Sequence, residues 1–194
     1  MTRRVAISGM GAISAAGLGL DALWDAAREG RSAIGPIELP NATGNRVLIG
    51  GAIPGFDPAR HIDETVLRTC DAYSQYALYA SAEAIAMAGL QEPHLRSDRT
   101  AAIVGTGVGG IGTLDAGCFH YYQGHKFDTF AVPKVLTSSG ASQVSIVHGI
   151  TGPTFAVSSA CASGSQAIGM AAMMIKAGLI DRAVVGGAEA CLTP

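Results

Sequence analysis

Charged residues are scarce in this 194-residue sequence, in which Asp, Glu, Lys and Arg together make up 14%. Only three lysines occur and the formal net charge is −2, so the chain has no basic face for nucleic acid. Long apolar runs are also missing, since none free of charges and glycine clusters reaches the roughly 18 residues of a membrane-spanning helix. We therefore expect neither nucleic acid nor a membrane as a partner.

Cysteine spacing excludes two further classes of protein. The four cysteines match neither a disulfide framework nor a zinc ribbon. Cys118, His120 and His125 lie close together in sequence, but their spacing matches no established zinc site, and a polar surface loop accounts for them. We therefore expect no metal, and unpaired thiols favour a reduced, cytoplasmic location.

The N-terminus, TRR followed by VAISGMGAISAAGLGL, has features of a twin-arginine or Sec signal. Its glycines disfavour the helix that such a signal requires, whereas Val5, Ala6 and Ile7 favour a strand. We predict a first strand over Arg4–Ser8 instead.

Strands and helices are predicted to alternate along the chain. Short apolar runs predict strands at 4–8, 47–49, 100–104, 154–160 and 182–185. Helical periodicity and end signals predict helices at 21–30, 71–87, 137–150 and 162–177. The segment 113–134 is irregular and aromatic in pattern, and a helix over part of it remains an alternative. Asp21 is expected to cap the first helix, with Leu23 and Trp24 on its inner face. The alternation indicates an α/β fold with a largely parallel sheet.

Three glycines, Gly105, Gly107 and Gly110, follow a predicted strand in the pattern G-x-G-x-x-G, which is typical of dinucleotide sites. No acidic residue ends a second strand about 20 residues later, as ribose binding requires. The glycines are therefore expected to let two backbones or an acyl chain approach closely. No cofactor is predicted.

Cys161 lies at the turn where a predicted strand leads directly into a helix without charge before Lys176. At such a turn, the first N–H groups of the helix lack hydrogen-bond partners and the helix dipole is positive, so thiolate is favoured over thiol. The same N–H groups can hold an oxyanion. On the residues alone, a small cysteine that merely packs remains an alternative to a nucleophile. The surrounding small residues, Ser158–Ser165, favour the nucleophile because they leave space for a ligand. The helix itself is expected to be buried on almost every side.

His148 lies close enough in sequence to suggest a Cys-His pair with Cys161. Spacing alone does not establish such a pair. A histidine at the end of a helix, before Gly149, is the interpretation that we favour.

Several motifs in a fixed order resemble the N-terminal half of an elongating β-ketoacyl-acyl carrier protein synthase. They are RRVAISGMGAISAAG, Asp71 with Gln75-Tyr76, GTGVGGIG, Val132-Pro133, HGITGPTFAVSSACASG and AVVGGAEA. Together they extend over the whole chain, and the segment around Cys161 is the most specific of them.

The resemblance implies a thiolase-like layered αβαβα fold, of which residues 1–194 supply the N-terminal half. It also implies a homodimer in which the strand before Cys161 pairs with its twin, and this would hide apolar surface. The same analogy implies that Cys161 accepts an acyl group from acyl carrier protein. The acyl group is then transferred to the carbanion of decarboxylated malonyl-carrier, in fatty acid or polyketide synthesis.

Further site residues follow from the resemblance alone. Val108, Ala131 and Val132 match positions that line the acyl pocket, and a bulkier side chain is common at the position of Ala131. Arg68 and Lys126 match basic positions that bind the carrier protein. Thr65 and Thr69 stand where further basic residues are common, which predicts a weaker carrier surface than the family's usual one.

The family's decarboxylation histidines, nearby lysine and phenylalanine gate belong to its C-terminal half, and no residues here replace them. This chain alone is therefore expected not to condense. Two alternatives remain: a thiolase-type acyl-CoA acyltransferase and a non-catalytic dimerising fragment. Acylation of Cys161 distinguishes the catalytic interpretations from the last.

Overall fold

A computed structural model describes residues 3–39, 44 and 46–193. Its strands are β1 (Ile13–Ser14), β2 (Gly17–Leu18), β3 (Gly35–Pro36), β4 (Ile49–Gly50), β5 (Thr100–Gly105), β6 (Thr154–Val157) and β7 (Arg182–Gly187). Its α-helices are α1 (Leu20–Glu29), α2 (Glu64–Leu67), α3 (Ala72–Met87), α4 (Glu92–Leu95), α5 (Ile111–Tyr122), α6 (Ala131–Val135), α7 (Ser139–His148) and α8 (Ser163–Lys176). A 3₁₀ turn spans Pro58–Arg60.

A three-stranded parallel sheet in the order β6-β5-β7 forms the centre of the structure. Helices α3 and α7 cover one face of this sheet, and α8 covers the other. The prediction of an α/β fold with a parallel sheet is therefore confirmed. Two small antiparallel pairs, β1 with β2 and β3 with β4, lie outside the sheet.

Strand β5 is buried along its whole length because both of its faces are covered. Ala102 and Val104 contribute to the hydrophobic cluster under α3 and α7. Ala101 and Ile103 point the other way, into the cluster under α8. Because successive side chains of a strand point to opposite faces, β5 contributes to both hydrophobic clusters.

The predicted start of α3, at residue 71, lies within one residue of the observed start at Ala72. Asp71 is its N-cap, and its carboxylate accepts from the N–H of Tyr73. The same carboxylate accepts from the N–H and hydroxyl of Thr113, at 2.9 and 2.6 Å. This buried N-cap therefore fixes α3 against α5.

The first strand predicted over Arg4–Ser8 is wrong, since the described part of the chain places no ladder there. Arg3 binds Asp181 just before β7, and Gly9 and Gly11 lie against the backbone of α3. The segment is positioned by these contacts, and without a hydrogen-bonded neighbour an extended run is not a strand.

Helix α1 forms as predicted, but its details differ. Gly19 is the N-cap, and Asp21 lies in the first turn. Leu23 and Trp24 were expected on the inner face but are 40% and 65% exposed, because Ala26 faces the protein instead.

Helix α5 occupies the first half of the segment 113–134, where the sequence pattern is irregular and a helix over part of the segment is the alternative. Gly112 and Gly117 and the aromatic residues weaken its helical signal. Tertiary contacts compensate, since Phe127 packs directly against Gly117.

Only one face of α8 is buried, against the expectation of burial on almost every side. Ser163, Ala167 and Ala171 face the sheet. Ile168 and Met173 on other faces are 46% and 61% exposed, because the described residues provide cover on the sheet side alone. Within those residues, no helix combines the length and apolar character needed to cross a membrane.

Candidate active site

Cys161 lies on a tight elbow between β6 and α8, and it is exposed. Ala160, the residue before it, has a positive φ of 52°, the only non-glycine residue with positive φ in the described chain. Such a conformation is strained for a residue with a Cβ and persists only where the surroundings impose it. The elbow therefore presents the thiol at the carboxyl end of the parallel sheet, where ligands bind in open α/β sheets.

Ser163 holds the elbow in shape from inside. Its buried hydroxyl accepts from the N–H of Ser159 at 2.8 Å and donates to the carbonyl of Ala160 at 2.6 Å. Two amides at the start of α8 also close the turn, since the N–H of Ala162 donates to Ser159 and that of Ser163 to Ala160. These two amides are thus already engaged, whereas the amide of Cys161 takes no part in these turn bonds.

Glycines allow α8 to begin directly on the sheet. A Cβ on Gly105 would lie 2.3 Å from the Ser163 carbonyl, and a Cβ on Gly187 would lie 2.9 Å from the Cα of Gly164. These distances are shorter than any side chain tolerates. The prediction that glycines serve close backbone approach is therefore confirmed for Gly105.

The turn after β5, Thr106–Gly110, contacts both the elbow and α6. The hydroxyl of Ser158 donates to the carbonyl of Gly107 at 3.2 Å. A Cβ on Gly110 would lie 2.2 Å from the carbonyl oxygen of Lys134 in α6. The amide of Gly107 is bound by the Glu189 carboxylate at 2.6 Å, so it is not available to a phosphate. This contact argues against the dinucleotide alternative.

The residues matched to the acyl pocket lie on these two elements. Val108 is at the tip of the turn and is 51% exposed, and Val132 on α6 is 69% exposed. Ala131 is buried, with 7% exposure. The structure therefore brings the elbow, Val108 and α6 into one region but turns Ala131 toward the protein interior.

The residues matched to a carrier surface are both exposed. The Arg68 guanidinium lies over the ring of Phe130, 5.4 Å from its centroid, just before α6. Lys126 lies in the loop that leads to the same helix. Thr69 faces inward, since its hydroxyl donates to the carbonyl of Val66 and accepts from Gln143.

His148 lies at the opposite end of the sheet from Cys161. It ends α7, and its Nε2 is 3.0 Å from the hydroxyl oxygen of Ser81. Gly152, four residues later, lies against the start of β5 at Thr100, whereas the elbow lies against the end of β5. The two ends of this six-residue strand are about 16 Å apart. A Cys161–His148 pair is thereby excluded, and the role at a helix end is confirmed.

The other cysteines differ from Cys161 in their surroundings. Cys70 is buried, and burial raises the pKa of its thiol to about 11. Cys118 is partly buried on α5, and Cys191 is exposed beyond β7. Among these thiols, only Cys161 combines exposure with a strained elbow at a helix start.

Two contributors to the site were missed at the sequence level, Ser163 and Glu189. Ser163 is one of several serines near Cys161, and nothing in the sequence separates it from the others. Glu189 does carry a signal, because it is the one charge in the run AVVGGAEACLTP. A lone acid in an apolar segment needs hydrogen-bond donors, and the turn after β5 supplies them.

Comparison with protein families gives a match along the chain. The model for "Beta-ketoacyl synthase, N-terminal domain" matches residues 2–194. A 3-oxoacyl-[acyl-carrier-protein] synthase 2 of Vibrio harveyi is 34% identical over 194 residues, which cover 99% of this chain and 47% of the relative. A nodulation protein E of Rhizobium sp. (strain N33) is 38% identical over 192 residues, 98% of this chain and 48% of that protein. The chain thus spans about half the length of the curated relatives it matches.

Solved structures show the same fold. The ishigamide ketosynthase/chain length factor matches with a TM-score of 0.91 at 26% identity. The match covers 98% of this chain and 48% of that chain. A beta-ketoacyl synthase from Burkholderia phymatum STM815 matches with a TM-score of 0.79 at 28% identity. This match covers 93% of this chain and 45% of that chain.

Proposed function

Because the chain belongs to the β-ketoacyl synthase family, whose N-terminal domain it matches, we propose that it serves a condensing enzyme that elongates acyl chains in fatty acid or polyketide synthesis. Its fold is the thiolase-like layered α/β fold of the ketosynthases that it matches. The observation that carries the proposal is the exposed thiol of Cys161 on a strained elbow at the start of α8.

In the first step, the Cys161 thiolate attacks the carbonyl carbon of an acyl thioester. A new carbon–sulfur bond forms at Cys161, the donor's carbon–sulfur bond breaks, and the donor thiolate takes up a proton. Because one thioester replaces another, the exchange is nearly balanced in energy, and the acyl group remains easy to release.

In the second step, a malonyl thioester loses carbon dioxide, and its α-carbon attacks the acyl carbonyl on Cys161. The bond to Cys161 breaks, which regenerates the thiolate and leaves a β-ketoacyl thioester. His148, the histidine nearest to Cys161 in the sequence, lies at the opposite end of the sheet from the thiol. We therefore propose that residues 1–194 are the N-terminal domain of a larger condensing unit and that decarboxylation needs groups from outside this chain.

The acyl chain is proposed to extend from Cys161 along Val108 toward Val132 and Ala131 on α6. The exposed aliphatic side chains of Val108 and Val132 support this path. Ala131, being buried, would shape the wall from behind instead of touching the chain.

The proposed acyl donor is an acyl carrier protein, whose acidic surface would meet Arg68 and Lys126. Both side chains are exposed; Arg68 lies over Phe130 just before α6, and Lys126 lies in the loop that leads to this helix. Asp63 and Glu64 lie close to Arg68 in sequence and are also exposed, so the surface is only weakly basic. The four free cysteines are consistent with the proposed cytoplasmic location.

The proposed quaternary structure is a homodimer formed along β6. This strand lies at an edge of the sheet, so one side of its backbone has no neighbour among the described strands. An unprotected edge strand is a template for pairing with a second chain.

An assay that separates the two steps tests the proposed function. The protein is incubated with acyl-carrier, with and without malonyl-carrier, and both the acyl-enzyme and the β-ketoacyl product are measured by mass spectrometry. We expect the 194-residue chain to form the acyl-enzyme without product, and a protein extended to the length of its relatives to form both. Product from the chain alone would overturn the assignment of decarboxylation to other residues, and absence of acyl-enzyme in both proteins would overturn the function.

A further inference from the structure

Glu189 makes two hydrogen bonds to the turn that follows β5. One carboxylate oxygen accepts from the N–H of Gly107 at 2.6 Å, and the other accepts from the hydroxyl of Thr106 at 3.1 Å. Glu189 itself follows the end of β7, the strand that pairs with β5 on the far side from β6. A single side chain thus connects two neighbouring strand ends at the edge of the sheet that carries Cys161.

The hydroxyl of Thr106 extends this connection further into the turn. While it donates to Glu189, it accepts from the N–H of Gly109 at 3.1 Å. Thr106 is 2% exposed, so these bonds are made away from water, where an unmade bond costs most. Gly107 permits the approach, since a Cβ there would lie 2.9 Å from the carboxylate oxygen.

Val108 lies between the two glycines whose amides are held in this way, one directly by Glu189 and one through Thr106. The backbone of Val108 is therefore held on both sides, so its Cα can move away from Cys161 only if these bonds lengthen or break. The turn also contacts the elbow, through Ser158 and Gly107, and α6, through Gly110 and Lys134. Glu189 thus fixes the turn from a third direction.

We propose that Glu189 is a positioning residue that fixes Val108 relative to Cys161 and thereby sets which acyl chains the thiol accepts. The inference rests on the proposed function, in which Val108 lines the acyl path. A carboxylate suits this position because both of its oxygens accept, and the turn offers two donors. A glutamine keeps one acceptor and turns an NH₂ group toward the other donor.

The test compares Glu189→Gln and Glu189→Ala with the wild type in two reactions of Cys161. The first reaction is single-turnover acylation by hexanoyl and dodecanoyl thioesters, measured as the second-order rate constant of acylation for each. The second is alkylation by iodoacetamide, which is too small to need the acyl path. We expect the ratio of the dodecanoyl to the hexanoyl acylation rate constant to change about tenfold in Glu189→Ala and less in Glu189→Gln, comparable to the effect of one or two methylenes in a pocket. Alkylation is expected to stay within about twofold.

Two further comparisons keep the test decisive if a Glu189 variant does not fold. Thr106→Ser keeps the hydroxyl and should retain the wild-type ratio, whereas Thr106→Val should shift it as Glu189→Ala does. Glu92→Gln is the matched control, because Glu92 pairs with Arg96 in an exposed ion pair on α4. Unchanged ratios in both Glu189→Gln and Thr106→Val would overturn the inference.

Hydrogen exchange separates this inference from the proposed function. The peptide containing Thr106–Gly110 should exchange faster in Glu189→Gln than in the wild type, and unchanged exchange would refute the positioning role whatever Cys161 does. If exchange rises but the wild-type thiol accepts neither thioester, the proposed function fails and the selectivity claim fails with it, while Glu189 remains a structural contact of the turn.

Discussion

Gly105 at the end of β5 lies directly against the peptide carbonyl of Ser163 in the first turn of α8. A Cβ built on Gly105 would lie 2.3 Å from both the carbon and the oxygen of that carbonyl. The first turn of α8, which follows Cys161, thus packs against Gly105, a position where only glycine fits. The geometry of the proposed nucleophile depends on this contact.

Replacing Gly105 by alanine should displace α8 and the elbow. We expect Gly105→Ala to lower the free energy of unfolding by about 1–3 kcal/mol or more, since backbone cannot yield as a side chain can. Gly186→Ala, on the neighbouring strand β7, is the matched control, because a Cβ there meets no atom within 4 Å. Urea unfolding of the two variants measures the difference, and equal midpoints would refute the close contact.

The buried N-cap Asp71 should be sensitive to loss of its charge. In Asp71→Asn, the side chain can no longer accept at both oxygens from Tyr73 and Thr113. We expect a loss of about 1–3 kcal/mol in unfolding free energy, because a buried donor is left unmatched. Asp63→Asn, at the exposed cap of α2, should unfold like the wild type, since Asn caps helices as well as Asp. Similar losses of unfolding free energy in both variants would contradict the difference expected between the buried and the exposed cap.

Two substitutions at the proposed acyl path should differ in their effects. Val108→Phe places the larger ring at an exposed position, so stability should hold while the preference shifts to shorter acyl chains. Ala131→Phe should also shorten products but should cost about 1–3 kcal/mol of stability, because Ala131 is buried. Thermal unfolding and acyl-thioester competition measure both properties. An unchanged chain-length preference in Val108→Phe would remove this residue from the path.

Protonation of His148 should destabilise the protein in mild acid. Burial lowers the pKa of His148 below its ordinary value of 6.5. The unfolded chain therefore binds this proton first as the pH falls through 6.5, and stability decreases until the lower native pKa is passed. The hydroxyl of Ser81 donates to the carbonyl of Leu78, so the neutral ring donates through Nε2 to Ser81.

The measurement is urea unfolding at about pH 7.5 and about pH 5. Between the higher and the lower pH, the wild type should lose more unfolding free energy than His148→Asn, because an asparagine side chain does not titrate. His125→Asn is the control, because His125 is exposed in the loop before α6. An equal loss in wild type and His148→Asn would show that other groups cause the acid sensitivity.

Elements whose signals are local were predictable from the sequence. Helix α3 has its cap at Asp71 and a stop at Gly89, and β5 is an uncharged apolar run between polar residues. The strand and helix around Cys161 were predictable for the same reason.

Features that depend on distant partners were not predictable. The run over Arg4–Ser8 has strand composition, but a strand exists only where a ladder partner lies beside it. Helix α5 carries two glycines, and its stability comes from packing that the sequence does not display. The role of Glu189 depends on the spatial neighbourhood of Thr106, 83 residues earlier.

Acylation of the thiol tests the central claim most directly, that Cys161 is the nucleophile of a condensing enzyme. The protein is incubated with an acyl carrier protein bearing an acyl chain, and the site of attachment is mapped by peptide mass spectrometry in the wild type, Cys161→Ser and Cys191→Ser. Cys191 is the matched control because it is also an exposed thiol. We predict one acyl group on Cys161 in the wild type and in Cys191→Ser, and none in Cys161→Ser. Labelling of Cys191 or Cys118 in preference to Cys161, or an acyl group that persists in Cys161→Ser, would contradict the claim.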